Sequence, residues 1–326
     1  MKAIVQTEYG SADVLKLREV DRPTITDSQL LIRVHATSVH AGDRHLMHGT
    51  PWLLRLIFGG IFKPKIQILG TDIAGTVEAI GLAVTQFKIG DQIFGDLSEC
   101  GFGGFAEYVA APEKAFILKP YNLTFEEAAT VPVSALAALQ GLCKLGQIQS
   151  GQNVLINGAS GGVGTYAIQI AKANGAEVTA LCHTRNIEVM RSIGADHIIA
   201  YDQIDITKTS QQYDLIFDAA AYRSVFDYLP ILKSKGTYVI VGGSIARLFQ
   251  IMLFGSLVSK WTGRKLCALS STPNQTDLTT LKDLLEAEKI VPIIDRHYTL
   301  NEVPEAIRRL EDHQVIGKIS IQVMPS

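Results

Sequence analysis

The sequence predicts an α/β protein with a β-rich lobe and a second lobe built on a doubly wound parallel sheet. Three observations carry this. Residues 1–122 read as short strands broken by glycines. From Thr124 onward strands and helices alternate. Residues 290–326 return to β character. The expected domains are therefore 1–122, 123–289, and 290–326 as a return of the chain to the first lobe. A length of 326 residues suits two domains.

Strand candidates in the first lobe are Lys2–Gln6, Leu15–Glu19, Leu30–Ser38, Ile73–Ile80, Gln92–Gly95 and Ala106–Ala110. Gly70, Gly75, Gly81, Gly90, Gly95 and the 101–104 cluster punctuate them. Thr124-Phe125-Glu126-Glu127 has the spacing of a capping box, with Glu127 three residues after Thr124. A helix over 126–145 follows, or breaks near Pro132. Buried strands are expected at 153–157, 177–182, 197–200, 214–218, 236–241 and 265–270. The last strand is 318–323.

The segment 153–186 organises the second lobe. An apolar run, Val154–Ile156, leads into Gly158-Ala159-Ser160-Gly161-Gly162-Val163-Gly164. A helical pattern covers Thr165–Asn174, Gly175 sits at its C-cap, and a strand runs from Glu177 to Cys182. This is strand, glycine turn, helix and strand within about 30 residues, the context of a dinucleotide fingerprint. Gly161 allows the backbone to approach a pyrophosphate, and Gly164 allows the helix to pack closely on the strand. N–H groups at the helix start, including those near Ser160, Gly162 and Val163, would face the phosphates. Ala159 replaces the first fingerprint glycine, so a plain βαβ turn is the competing reading.

Coenzyme choice is read at the end of the second strand. An NAD site places Asp or Glu about 20 residues past the glycines. Here the chain has Leu181-Cys182-His183-Thr184-Arg185-Asn186, without a carboxylate. Arg185 can grip a 2′-phosphate, and Thr184 and Asn186 can donate to it. NADPH is the expected coenzyme, unless Arg185 is only a solvated helix-start residue. Phe217 and Asp218 end another strand, and Val241-Gly242-Gly243 a further one, at the sheet edge where ligands sit. Lys318 either reaches the coenzyme or is an ordinary strand lysine.

Composition excludes several classes. Net charge is −2, which does not suit nucleic acid. Cys100, Cys143, Cys182 and Cys267 are scattered, with no C-x-x-C pair, which fits a reducing compartment and a cytoplasmic protein. MKAIVQTEYG reads as a strand and not as a signal peptide. No apolar run reaches about 18 residues, so no transmembrane span is expected.

Nine segments in this order and spacing carry a resemblance: LGTDIAGTVEAIG (69–81), GDQIFG (90–95), GGFAEYV (103–109), VPVSALAALQG (131–141), VLINGASGGVG (154–164), VTALCHTRN (178–186), IGADHIIAY (193–201), YDLIFDAA (213–220) and VIGKISIQV (315–323). With them the chain resembles the medium-chain dehydrogenase/reductase superfamily. More narrowly, it is similar to the zinc-free quinone oxidoreductase and alkenal/enone reductase branch. The resemblance implies a GroES-like catalytic domain, a Rossmann domain, and a homodimer formed through the nucleotide-lobe sheet edge; with 290–326 rejoining the first lobe, the cleft between lobes is the expected active site.

Zinc members of the superfamily carry Gly-His-Glu where this chain has Gly70-Thr71-Asp72, and a cysteine where His40 stands. Catalytic zinc needs three protein ligands, so no metal is expected. Without zinc to stabilise an alkoxide, hydride goes most easily to an already electrophilic carbon. A small lipophilic quinone or α,β-unsaturated carbonyl is the expected substrate.

Relatives often have Asn and Tyr lining the site where this chain has His40 and His45. Both replacements keep a hydrogen-bond donor for the developing oxyanion. His40 as a loop histidine tied to backbone is the plainer alternative. Asp43 reads as a structural or coenzyme-amide anchor, and His35 and His48 as bland. Relatives also carry Thr where Ala137 stands. Two apolar stretches, 52–62 and 248–258, either pack on the core or line the cleft mouth for a lipophilic substrate, a membrane surface or a partner.

The expected function is an NADPH-dependent, metal-free reductase of quinones or conjugated carbonyls. A zinc-free alcohol or ketone dehydrogenase is the alternative within the enzyme class. A non-catalytic NADPH-binding sensor or membrane-associated scaffold is the alternative outside it.

Overall fold

The structure is a computed structural model that describes residues 1–57 and 60–324. Its contacts divide the chain into two compact units. The first comprises Met1–Val133, Pro273–Glu286 and Pro292–Ser326; the second comprises Ser134–Thr272 and Ala287–Val291.

The first unit is the β-rich, GroES-like one. Its main sheet runs in the order Ile294–Thr299, Lys318–Gln322, Gln29–Val39, Asp72–Ile80, Gln92–Asp96 and Phe116–Leu118, with Tyr108–Pro112 also on Gln29–Val39. Gln29–Val39 is buried along almost its whole length, and its buried hydroxyls are bonded: Thr37 Oγ1 donates to Asp72 O and Ser38 Oγ to Asp72 Oδ2, both at 2.6 Å. One core gathers Leu30, Ile32, Ile73, Ile93 and Phe116; another gathers Met47, Leu69, Phe105, Ile307 and Ile319. Lys2–Val5 and Lys16–Glu19 form a separate antiparallel pair.

Two helices within 123–289, the stretch expected for the second lobe, belong to this unit. Phe125–Ala128 is opened by the capping box: Glu127 accepts from Thr124 N at 2.8 Å, and Thr124 Oγ1 accepts from Glu127 N at 3.2 Å. The helix lies on three strands of the main sheet, and Phe125 stacks on His35 with ring centroids 4.2 Å apart. Gln275–Glu286 packs on Phe116–Leu118, and Gln275 Nε2 donates to Phe116 O at 2.9 Å. Of the two expectations for 126–145, the structure shows the break near Pro132: a second helix starts there and continues as a π-helical turn over Gln140–Leu145. Proline has no N–H for an interior helical bond, so it fits a helix start.

The second unit is the Rossmann unit. Its six strands run in the order His197–Ala200, Glu177–Cys182, Asn153–Asn157, Tyr213–Asp218, Leu232–Ile240 and Lys265–Ala268, all parallel. Numbered along the chain this is 3-2-1-4-5-6, the doubly wound order, with its switch point beside Asn153–Asn157. The core under the sheet holds Leu155, Ile216, Tyr228, Tyr238 and Ile240.

The two apolar stretches differ. Leu53–Ile57 is a short helix, Trp52 and Phe62 are exposed, and Phe58 and Gly59 lie outside the described residues. Ile245–Thr262 is a long helix that buries only Ile251 and Gly255, with Met252, Leu253, Leu257 and Trp261 exposed. Core packing thus accounts for one narrow stripe of it. Among the described residues no helix is long and apolar enough to cross a membrane.

Candidate active site

In the Rossmann unit the glycine turn leads into the helix Gly162–Ala173. Gly161 is its N-cap and supplies no side chain to the first-turn N–H groups. A Cβ on Gly161 would meet only Gly158 O, at 3.5 Å, so it would occupy otherwise open space before the helix. A Cβ on Gly164 would lie 2.2 Å from Gly158 O and 2.6 Å from Ala159 O. That contact is impossible for any other residue, and it fixes the helix start against the first strand. Open space, uncapped donors and a twelve-residue dipole fit a pyrophosphate.

At the next strand end, His183 caps a turn over Thr184–Asn186 and accepts from Arg185 N at 3.2 Å. Arg185 is exposed. Asn186 is buried, and among the described residues its Oδ1 has no hydrogen-bond partner. Thr184 is already engaged: its N–H and hydroxyl donate to Asp202 at 2.9 and 2.8 Å. Those bonds, the hydroxyl's first, hold the Asp202 carboxyl below the usual range. His183 and Tyr201 meet edge to face, 5.8 Å between centroids.

The other strand ends are arranged differently. Phe217 is fully buried, and its ring leaves no room for a Cβ on Gly141. Asp218 is also buried, accepting from Asn157 Nδ2 at 2.7 Å, Ala220 N at 3.1 Å and Tyr238 OH at 2.5 Å. Both side chains face inward and brace the strand end. Val241 N donates to Asp218 O at 2.8 Å, and Ala221 N donates to Gly242 O at 3.1 Å, so Val241-Gly242-Gly243 continues this edge.

In the GroES-like unit the structure joins His40, Asp43, Thr71, Asp72 and Lys318. His40 is the N-cap of the helix Ala41–His48, in a capping box with Asp43. Asp43 is fully buried; Oδ2 accepts from His40 N at 3.0 Å and Oδ1 from Gly70 N at 3.1 Å. Burial pushes its carboxyl upward. Gly42 N donates to His40 Nδ1 at 2.9 Å. Nδ1 therefore carries no proton in this arrangement, and the ring's proton sits on Nε2. Nε2 faces the Thr71 hydroxyl in a short contact and lies 3.6 Å from Asp43 Oδ2. As an N–H it donates to Thr71 Oγ1, which frees the hydroxyl hydrogen of Thr71 for another acceptor.

Asp72 is buried beside this pair. Lys318 Nζ donates to its Oδ2 at 3.0 Å, Ser38 Oγ to the same oxygen at 2.6 Å, and Val133 N to Oδ1 at 2.8 Å. Lys318 is 3% exposed and is engaged in this ion pair. Asp96 is buried nearby, and burial, then the charge of Asp72, push its carboxyl up to about 6.

His45 stands apart from these bonds. Its Nδ1 donates to Thr50 O at 3.1 Å, since a carbonyl only accepts. Neutral His45 therefore presents Nε2 as an acceptor. Burial, then Arg44, lower its pKa, so the imidazolium needed for a second donor is disfavoured. His48 contacts Glu311 at 2.5 Å, outside the cluster.

Comparison with known proteins places these two units together in one family. Residues 26–121 match the alcohol dehydrogenase GroES-like domain, and residues 193–321 match the family described as zinc-binding dehydrogenase. The chain is 32% identical to the 2-methylene-furan-3-one reductase of Solanum lycopersicum, over 100% of this chain and 80% of that protein. It is 30% identical, over the same shares, to the chloroplastic NADPH-dependent alkenal/one oxidoreductase of Arabidopsis thaliana. The solved quinone oxidoreductase from Coxiella burnetii has a TM-score of 0.90 at 30% identity, covering 99% of each chain. The chain belongs to the medium-chain dehydrogenase/reductase superfamily. As a member it is an NAD(P)H oxidoreductase, with quinone and alkenal/one reductases among its homologues.

Tyr201 and Asp202, which contact His183 and Thr184, carry no motif that singles them out in the sequence. They follow the strand His197–Ala200, which lies beside Glu177–Cys182 in the sheet. Between the glycine turn and Asn186 the only carboxylate is Glu177, at the far end of its strand. Strand adjacency in a 3-2-1 sheet is the signal that points to Asp202.

Proposed function

We propose that this oxidoreductase uses NADPH, without a catalytic metal, to reduce quinones or α,β-unsaturated carbonyls. The observation that carries the reading is the pairing of the Thr71 hydroxyl with the His40 ring, beside an Asp72 neutralised by Lys318. Zinc relatives would place ligands at these positions. Here Thr71 is a hydroxyl donor, and Asp72 is committed to an ammonium and two further donors. NADPH, when bound, supplies the hydride.

The remaining work belongs to side chains of this protein. His40 Nε2–H donates to Thr71 Oγ1 and orients the hydroxyl, whose own hydrogen then donates to the carbonyl oxygen as negative charge builds there. Asp43 fixes the helix start that holds His40. Arg185 faces the 2′-phosphate of NADPH, and the uncapped helix at Gly161 faces the pyrophosphate. Such a site favours substrates whose reacting carbon is already electrophilic, because a hydroxyl donor cannot create an alkoxide as zinc does.

Comparing rates on an enone, its saturated ketone and a quinone, with and without chelator, tests the proposal. Enone or quinone turnover that survives chelator is expected. Faster turnover of the saturated ketone, or loss of activity to chelator, would sink it. Tight NADPH binding with no turnover on any of the three would favour a binding protein instead. Thr71→Val should lower kcat by roughly 10²-fold with little change in KM, as for loss of one oxyanion donor.

A further inference from the structure

We infer that Asp202 is a coenzyme-selectivity residue: a carboxylate from the neighbouring strand that receives the ribose 2′-hydroxyl of NADH and opposes the 2′-phosphate of NADPH. This rests on the reading of the 183–186 strand end as the adenosine-ribose pocket.

Three observations lead there. Asp202 accepts both the N–H and the hydroxyl of Thr184, at 2.9 and 2.8 Å. Thr184 therefore has no donor to offer a phosphate while that pair persists. Asn186 Oδ1 is buried without a partner among the described residues, so it is a second acceptor awaiting a donor. A ribose hydroxyl can donate to such acceptors, whereas a phosphate oxygen cannot. His183 Nε2, 4.0 Å from Asp202 Oδ2, is the nearest compensating ring. Arg185 is the cation of this turn and an arm suited to phosphate. The strand end thus carries opposed selectors, one arginine and one carboxylate, within a single turn of chain and its neighbour.

A site of this kind accepts both coenzymes, and its preference for NADPH is set by the balance of the two arms. The carboxylate comes from the strand beyond, which the usual spacing from the glycine turn does not reach.

Calorimetric titration with 2′,5′-ADP and 5′-ADP reads the pocket without any turnover. The wild type, Asp202→Asn and Arg185→Ala would be compared, with thermal melts to confirm folding. Asp202→Asn should tighten 2′,5′-ADP by about tenfold, because one unit of like charge is removed and Thr184 loses one of its two acceptors. It should leave 5′-ADP unchanged or weaker. Arg185→Ala should weaken 2′,5′-ADP and spare 5′-ADP. If Arg185→Ala acts as expected but Asp202→Asn leaves the ratio of the two affinities unchanged or lowers it, the Asp202 assignment is overturned and the pocket stands. If neither variant moves the ratio, the ribose pocket lies elsewhere and both fall.

Discussion

Asp72 and Asp218 are both buried carboxylates beside strand termini, yet the two units satisfy them in opposite ways. Asp72 has an ammonium, Lys318, among its donors. Among the described residues Asp218 has only neutral ones: an amide, a phenol and a backbone N–H. Burial pushes the Asp218 carboxyl upward against those donors, and burial, then Asp218, raise the pKa of the Tyr238 hydroxyl. An ion pair holds its charge at the cost of coupling two residues, so that neither can be neutralised alone. A carboxyl among neutral donors can be replaced by an amide of the same shape. The GroES-like unit thus keeps a fixed charge pair beside its candidate donor, whereas the Rossmann unit uses its carboxyl as a brace.

The sharpest way to break the comparison is the same substitution at both sites. Asp72→Asn should strand Lys318 in the core and cost about 3–5 kcal/mol in urea unfolding, and Lys318→Met should cost as much by stranding Asp72. The double variant should recover part of the loss. A cost below about 1 kcal/mol for either single variant would show that the pair is not held as a pair.

Asp96 gives an intermediate effect with a pH signature. Its folded carboxyl, held up to about 6, keeps a proton that an ordinary Asp loses near 3.8. Its contribution to stability is fully present below about 3.8 and is lost as pH rises through about 6. Asp96→Asn keeps an oxygen for Ser98 N, now 2.8 Å from Oδ1, and cannot ionise. Its advantage over wild type should grow by roughly 2–3 kcal/mol between pH 4 and pH 7. Melting curves at four pH values would show it; parallel curves would remove the argument.

Asp218→Asn should be mildest, under about 1.5 kcal/mol, since the amide can accept from Asn157 and donate back to the Tyr238 oxygen. A loss as large as that at Asp72 would mean that Asp218 is ionised and that its neutral donors are insufficient. His45→Gln is smaller still in its effect on rate. A neutral ring whose Nδ1 is spent on Thr50 offers no donor, so turnover near pH 7 should change by less than about threefold. A loss of 10²-fold would return His45 to the role of oxyanion donor.

Much of this was legible in the sequence. The alternation beyond residue 150 could be read because parallel strands buried on both faces are apolar throughout, and the glycine turn because only glycine fits at 164. The strand Phe116–Leu118 was too short to show a period. The helices at 125–128 and 275–286 look like part of the second lobe along the chain; only their landing on the first sheet assigns them. The histidines illustrate the other limit. Sequence could place His40 and His45 in the same loop-to-helix turn. It could not say that Gly42 N fixes one ring's proton on Nε2 while Thr50 O fixes the other's on Nδ1. Those assignments come from single backbone atoms whose directions are set by the helix cap.

The position of the His40 ring also depends on a missing methyl. A Cβ on Gly42 would fall 2.5 Å from His40 Cε1 and 2.8 Å from Nδ1. The imidazole is therefore seated in the volume that any other residue at 42 would claim. Alanine there would evict the ring from Thr71 without altering either functional group. Inheritance of the hydroxyl–imidazole pair is thus linked to a third position that has no chemistry of its own. Any lineage or library that varies residue 42 is, in effect, varying the donor.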